Sequence, residues 1–112
     1  MVTKPYIPEQ GDIVWVNFNP IRGHEQKGKR PAFVVSHKEY NTKTGLALLC
    51  PVASQEKGYP FEVSVSSGKI KGVILADQIR SVDWKERKVL FIAKSGSDTL
   101  AEMKAKIAVL IG

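Results

Sequence analysis

Short apolar runs separated by polar breaks are the feature of this sequence that most constrains its fold. Each run is rich in β-branched and aromatic residues and is bounded by glycine, proline or a polar cluster, which is the pattern of β-strands. The predicted strands occupy residues 13–18, 32–36, 46–52, 60–65, 72–76, 79–84 and 89–92. The segments between them, at 19–31, 37–45, 53–59, 66–71 and 85–88, are predicted as loops and turns. The run 46–52 is apolar almost throughout, as expected of a strand buried on both faces.

Near the C-terminus the apolar residues change to a helical period. The predicted apolar face of this helix comprises Leu100, Met103, Ile107, Leu110 and Ile111. Lys104 and Lys106 are expected to face away from it. The candidate caps at its start are Thr99, which forms a capping box with Glu102, and the competing Ser97 and Asp98. Short strands followed by one helix indicate a mainly β fold, a small and partly open barrel with the helix covering an end.

The length, net charge and cysteine count of the chain limit the classes of protein to which it can belong. A chain of 112 residues is expected to form one domain, residues 1–112, with a single modest core. Its 17 Lys and Arg against 11 Asp and Glu give a net charge of +6, which fits a polyanionic partner such as nucleic acid but also simple solubility. The single cysteine, Cys50, excludes an internal disulfide and lies in an apolar run, so a buried thiol is expected. Without a signal peptide or membrane span, the expected location is the cytoplasm.

The segment 23–31, Gly-His-Glu-Gln-Lys-Gly-Lys-Arg-Pro, is the stretch best suited to chemistry. It combines an imidazole, a carboxylate, three cations and two glycines between two predicted strands, where functional groups concentrate. Arg30 has a planar fork that matches two phosphate oxygens, and Pro31 holds it at the entrance of a strand. Glu25 and His24 supply titratable groups beside that cation. The plain alternative is a solvated loop.

These groups fit the cleavage of RNA without a metal, in which the 2′-hydroxyl attacks the adjacent phosphorus. That reaction needs a base, an acid and donors for the charge that develops on the phosphorane. The candidate catalytic residues are Arg30, Glu25, His24 and Ser54. The candidate RNA-binding residues are Phe18, Asn19, Lys27, Lys29, Gln55, Lys57, Tyr59, Asp77 and Gln78, although the aromatic ones could equally belong to the core and the pair 77–78 could simply end a strand.

Metal and nucleotide chemistry find little support in the sequence. His24 and His37 stand 13 residues apart without paired acidic residues at ligand spacing. No glycine-rich phosphate loop opens a helix. We therefore expect no cofactor.

Several linked motifs resemble the MazF/PemK (Kid) family of type II toxins, most nearly its MazF branch. They are GDIVWV at 11–16, GHEQ at 23–26, RPA at 30–32, YN at 40–41, KGYPFEV at 57–63, ADQIRS at 76–81 and KAKIAVLIG at 104–112. The resemblance implies an SH3-like barrel of the CcdB/PemK type, a homodimer, and sequence-specific cleavage of single-stranded RNA. The products would carry 2′,3′-cyclic phosphate and 5′-hydroxyl ends. It also implies a MazE-like antitoxin whose acidic, disordered tail covers the RNA groove.

The resemblance also assigns roles by position. Arg30 matches the family's catalytic arginine, and Glu25 and His24 match loop residues with acid, base or binding roles. Asp77 falls where the PemK branch has an acidic catalytic residue, but Leu75 stands where that branch has an arginine.

One departure from the family concerns the support of Arg30. Members usually carry a threonine where this chain has Ala53, and Ser54 is the next hydroxyl. Adjacent residues of an extended segment point to opposite sides, so Ser54 need not replace it. Two other hypotheses therefore stand beside the nuclease: an RNA-binding member weakened or inactivated by Ala53, and a CcdB-like toxin that binds gyrase through its C-terminal helix.

Overall fold

The computed structural model describes residues 5–17 and 28–112. Within those ranges, seven strands and two helices form a mainly β fold. The strands are β1 (Asp12–Asn17), β2 (Lys29–Val34), β3 (Leu46–Ala53), β4 (Glu62–Ser67), β5 (Ile70–Leu75), β6 (Arg80–Asp83) and β7 (Leu90–Lys94). The helices are α1 (Lys38–Thr44), between β2 and β3, and α2 (Ser97–Ile111), which ends the chain. The predicted fold class, a small partly open β-barrel with a C-terminal helix, is confirmed.

Strand β3 joins the two parts of the sheet. The strand order is β4-β5-β3-β2-β1-β7, and β6 pairs with β3 off that path. One edge of β3 pairs with β2, while its other edge pairs first with β6 and then, at Val52 and Ala53, with β5. All of these pairs are antiparallel. Because three strands converge on β3, its C-terminal end lies between the start of β2 and the residues Val73 and Ile74 of β5.

The sheet is covered on both faces, so alternate residues of one strand enter different cores. Ile13 and Phe33 pack in a cluster that includes Met103 of α2. Val14 and Val34, their sequence neighbours, pack in a second cluster that includes Trp84. All four strand residues are fully buried. The predicted burial of Cys50 is also confirmed, and burial, with the charge of Asp77 as a smaller cause, raises the pKa of its thiol to about 12. A thiol in that state does not serve as a nucleophile at neutral pH.

The helix α1 replaces the turn-rich connection predicted for residues 37–45, and that prediction is wrong. The helix has no apolar period because Asn41 is its buried residue. The Asn41 amide nitrogen donates to the carbonyls of Pro8 (2.8 Å) and Ser36 (3.2 Å), and the Ser36 hydroxyl donates to its amide oxygen. The indole of Trp84 donates to the Asn41 carbonyl at 2.9 Å, and Gly45, at φ 74°, ends the helix in the left-handed conformation. Polar tertiary contacts therefore hold this helix.

The start of α2 also differs from the prediction. Its N-cap is Gly96, and no side chain caps it, so the predicted capping box and its competitors do not form. Met103 is buried as predicted. Leu110 and Ile111, predicted on the packed face, are 44% and 80% exposed.

The two lysines of α2 behave differently. Lys104 is exposed as predicted. Lys106, in contrast, is half-buried and donates to the carbonyl of Pro60, so the prediction that it faces away is wrong. Among the described residues, no helix is long and apolar enough to cross a membrane.

A buried carboxylate ties the N-terminal segment to the sheet. Asp12 is 1% exposed and accepts hydrogen bonds from the Tyr6 hydroxyl, the Glu9 backbone N–H (3.1 Å) and the Lys94 ammonium (2.9 Å). Burial, and then the bond to Asp12, raise the pKa of the Tyr6 hydroxyl. The bond to Asp12 is also the main cause that raises the pKa of Lys94. The buried charge is therefore paired and satisfied, as stability requires.

Candidate nucleic-acid interface

A groove of about 480 Å³ opens where β2 begins and β3 ends. The described residues that line it are Arg30, Pro31, Val52, Ala53, Ser54, Gln55, Lys57, Lys69, Ile70 and Lys71. Four of these ten carry a positive charge, and none of the ten carries a negative one. Such a groove attracts the phosphates of a polyanion, and it also carries hydroxyl and amide groups that can hydrogen-bond to them.

Arg30 lies at the entrance of β2, as predicted. It is exposed, and its backbone pairs with Val16 of β1. Ala32 of β2 pairs with Pro51 of β3, and the residues just beyond that pair on both strands line the groove. The sheet therefore holds the Arg30 backbone beside the end of β3, and regular elements position functional groups more precisely than loops do.

Ala53 and Ser54 both line the groove, which bears on the missing threonine. Ala53 is the last residue of β3, and Ser54 lies past its end in a bend. The alternation of sides that holds within a strand therefore no longer applies between these two residues. Ser54 reaches the same groove as Arg30 and is available there as a donor to a phosphate oxygen.

The loop after β3 is held by one carboxylate. Glu62, the first residue of β4, accepts hydrogen bonds from the backbone N–H groups of Lys57 (3.1 Å), Gly58 (2.9 Å) and Tyr59 (3.3 Å). Gly58 has φ 82°, a conformation that side-chain-bearing residues rarely adopt. The ammonium of Lys106, on α2, donates to the next backbone carbonyl, that of Pro60. The loop that carries Gln55 and Lys57 is therefore fixed at its far end.

Two groove lysines, Lys69 and Lys71, were not identified from the sequence. Residues 66–71 were predicted as a turn, but β4 continues to Ser67 and β5 begins at Ile70, so the hairpin loop is only Gly68-Lys69. This tight hairpin carries both lysines to the groove. The alternating polar and apolar residues on either side of Gly68 were the available signal.

The other predicted RNA-binding residues take different places. Lys29 lies over the ring of Trp15, with its ammonium 5.5 Å from the ring centroid, and it is not among the groove residues. Tyr59 is 63% exposed on the loop. Asp77 and Gln78 are exposed in the turn after β5, four residues or more beyond Val73, which pairs with Ala53. Both residues therefore lie beyond the part of β5 that pairs with the end of β3.

Five of the predicted site residues lie outside the described residues. They are Phe18, Asn19, His24, Glu25 and Lys27. The structure thus brings together Arg30, Ser54, Gln55 and Lys57 from the predicted set. Within the part of the chain that the structure describes, no three His, Cys, Asp or Glu side chains cluster as a metal site.

These features define a class before any comparison: a small β-barrel with a cationic groove suited to a polyanion. The chain matches the family described as PemK-like, MazF-like toxin of type II toxin–antitoxin system over residues 9–111. It is 48% identical over 112 residues, the whole of both chains, to the endoribonuclease toxin MazF of Escherichia coli K12. It is 30% identical to the endoribonuclease toxin ChpB of the same strain, over 92% of this chain and 93% of the relative.

Solved structures agree. The crystal structure of MazF from Deinococcus radiodurans matches with a TM-score of 0.85 and 48% identity, covering 96% of this chain and 99% of that one. A MazE–MazF complex from the same organism matches with a TM-score of 0.85 and 43% identity, covering 96% and 98%. The chain therefore belongs to the PemK-like, MazF-like toxin family, as its motifs predicted.

Proposed function

We propose that this chain is a toxin that cleaves single-stranded RNA at short sequences in the groove around Arg30, without a metal. Membership of a family of endoribonuclease toxins supports the activity. The location of the site rests on one observation. Arg30, Ser54 and three lysines line the same groove, which is formed by the start of β2, the loop after β3 and the β4–β5 hairpin.

In the proposed reaction the 2′-hydroxyl oxygen attacks the adjacent phosphorus, and the bond to the 5′-oxygen breaks. A 2′,3′-cyclic phosphate and a 5′-hydroxyl result. Negative charge grows on the non-bridging oxygens, and the Arg30 fork donates two parallel hydrogen bonds to them. Ser54 donates a further one. Lys57, Lys69 and Lys71 bind flanking phosphates, which gives affinity and position without reading sequence.

The proton transfers are assigned to the loop that precedes β2. Glu25 is the preferred base for the 2′-hydroxyl proton, since a carboxylate near a guanidinium stays ionised. His24 or Arg30 donates a proton to the leaving 5′-oxygen. This assignment rests on the sequence, because both loop residues lie outside the described part of the chain.

The positive charge of the groove also supports a protein partner. The cationic groove suits an acidic peptide as well as RNA, and the Deinococcus relative has been solved as a MazE–MazF complex. We propose a MazE-like antitoxin whose acidic tail occupies the groove, a homodimeric toxin and action in the cytoplasm. A tail peptide should then compete with RNA, and RNA binding that persists at saturating antitoxin would exclude a shared groove.

The test is cleavage of a long, unstructured RNA by pure protein in EDTA, with the fragment ends sequenced. Cuts clustered at one short word and bearing cyclic phosphates are expected. Arg30→Ala should lower the rate about 100-fold or more, the usual cost of losing a transition-state donor. Lys43→Ala, on α1 at the other end of β3, is the control for the loss of one positive charge.

Ala53→Thr tests the departure from the family. A hydroxyl beside Arg30 should raise the rate of a weakened enzyme, by up to about 100-fold. If the native protein makes no cuts while Ala53→Thr does, the chain is an RNA-binding member that lost its chemistry at one residue. If neither cuts RNA that both bind, the nuclease proposal is wrong.

A further inference from the structure

A second cavity, of about 390 Å³, adjoins the Arg30 groove. Its lining residues are Ser54, Glu56, Ser64, Val65, Ser66, Lys71, Gly72 and Val73. Ser54 and Lys71 line both spaces. The two cavities are thus neighbours with a hydroxyl and an ammonium at their boundary.

Gly72 allows this boundary to form. A Cβ atom at residue 72 would lie 2.1 Å from the carbonyl oxygen of Ala53 and 3.4 Å from the Cα of Ser54. The 2.1 Å contact with a backbone oxygen leaves no room for a side chain, so β5 lies close against the end of β3 here. This close approach brings Lys71, the preceding residue, next to Ser54.

The second cavity differs chemically from the first. Its groups are mainly hydroxyls, from Ser64 and Ser66 on the exposed face of β4, together with the exposed carboxylate of Glu56. A carboxylate repels phosphate and accepts hydrogen bonds only. Among ligands with a phosphate, it therefore selects for a part that donates N–H. Nucleobases with amino groups have such an edge, as when Glu accepts from the N4 amino group of cytosine.

We propose that the second cavity is a nucleotide subsite for the residue next to the cleaved phosphodiester. Lys71 binds the flanking phosphate of this nucleotide, which is not the one that is cleaved. Glu56 accepts a hydrogen bond from the amino group of its base. The inference rests on the proposed RNA cleavage, and it assigns to Glu56 one position of sequence specificity. Cytosine, adenine and guanine carry an amino group, whereas the only N–H on the pairing edge of uracil, N3–H, lies between two carbonyl oxygens that repel a carboxylate.

The test separates binding from cleavage. A pool of 2′-O-methyl oligonucleotides lacks the attacking hydroxyl, so fluorescence anisotropy on it reports binding alone. A random unstructured RNA with sequenced ends reports specificity. The variants are Lys71→Ala and Glu56→Gln, and both side chains are exposed, so both proteins should fold. Lys43→Ala and Glu39→Gln on α1, roughly 23 Å away along β3, are the matched charge controls.

Lys71→Ala should weaken binding of the pool about 3- to 10-fold near 0.1 M salt. It should reduce the slope of log K against log salt by about 0.7, the value for one phosphate of a single strand. Glu56→Gln should leave pool binding nearly unchanged. Because an amide both donates and accepts, it should admit uracil at one position beside the cut, with discrimination there falling about tenfold. The α1 controls should change neither readout.

The outcomes distinguish the two proposals. If the native protein cuts RNA at a defined word and Glu56→Gln leaves every position of that word unchanged, the subsite is wrong while the nuclease stands. If Lys71→Ala weakens binding of the antitoxin but not of the oligonucleotide pool, the second cavity is a protein contact and the subsite is again wrong. If the native protein binds the pool but never cuts it, the nuclease fails, and 2′-O-methyl oligonucleotides that differ in one base decide the subsite: it is wrong if Glu56→Gln discriminates among them as the native protein does.

Discussion

Replacing Glu62 should loosen the loop after β3 and weaken RNA binding without slowing the chemistry. Its carboxylate accepts hydrogen bonds from the backbone N–H groups of Lys57, Gly58 and Tyr59. A hydrogen bond to a charged group contributes about 1.5–3 kcal/mol, but these donors are exposed and water replaces part of the loss. We therefore expect about 2 kcal/mol for the whole set in Glu62→Ala, a factor of roughly 30 in the ratio of ordered to open loop.

The shift in the ratio of ordered to open loop determines how much KM should rise. Apparent affinity falls with the fraction of protein in the binding-competent state. KM should therefore rise about 3- to 30-fold, depending on how fully the loop is ordered in the native protein. The turnover number should stay within about twofold, since the sheet holds Arg30 and Ser54 directly follows β3, whereas Glu62 holds residues 57–59 at the other end of the loop. Initial rates on a short fluorescent RNA that contains the cleaved word give kcat and KM separately.

Two further variants make the reasoning refutable. Gly58→Ala strains a backbone at φ 82° with open space around it, at a cost of about 1–2 kcal/mol, so it should raise KM without touching the carboxylate. Glu102→Ala, on the exposed side of α2, removes the same charge and should change nothing. If Glu62→Ala and Gly58→Ala both lower the melting temperature but leave KM unchanged, the loop serves stability only and the argument is refuted.

Two other predictions concern stability. Asn41→Ala leaves the buried partners of the amide unsatisfied and should lower the free energy of unfolding by about 3 kcal/mol, or the melting temperature by about 10 °C. Thr42→Ala, on the exposed side of α1, should change the melting temperature little. Equally small shifts in melting temperature for both variants would show that water replaces the hydrogen bonds of Asn41. The pKa values of Tyr6 and Lys94 are both raised in the folded state, so their contributions are complete below about pH 10 and are lost as the pH rises further. Urea unfolding should show a decline above pH 10 that is smaller in Tyr6→Phe, and equal declines would contradict the role of this pair.

The site was predictable only in part. Arg30, Ser54, Gln55 and Lys57 lie in two short polar segments that each follow or precede a strand, and the sequence indicated both. Lys69 and Lys71 lie in a stretch predicted as a turn. The alternation around Gly68 indicates the hairpin, but nothing local shows that its lysines reach the groove rather than another part of the surface. Their role depends on the pairing of β5 with the end of β3, a contact between residues about 20 positions apart.

The sequence by itself determined the mainly β fold, most strand positions, the C-terminal helix and the family, because side-chain period and local motifs are properties of neighbouring residues. Only the tertiary structure decided that residues 38–44 form a helix around Asn41 and that α2 starts without a side-chain cap. It also decided that Ala53 and Ser54 reach one groove. These outcomes depend on the close packing of strands and on buried hydrogen bonds between distant segments, whose free energies exceed local preferences and leave no periodic trace in the sequence.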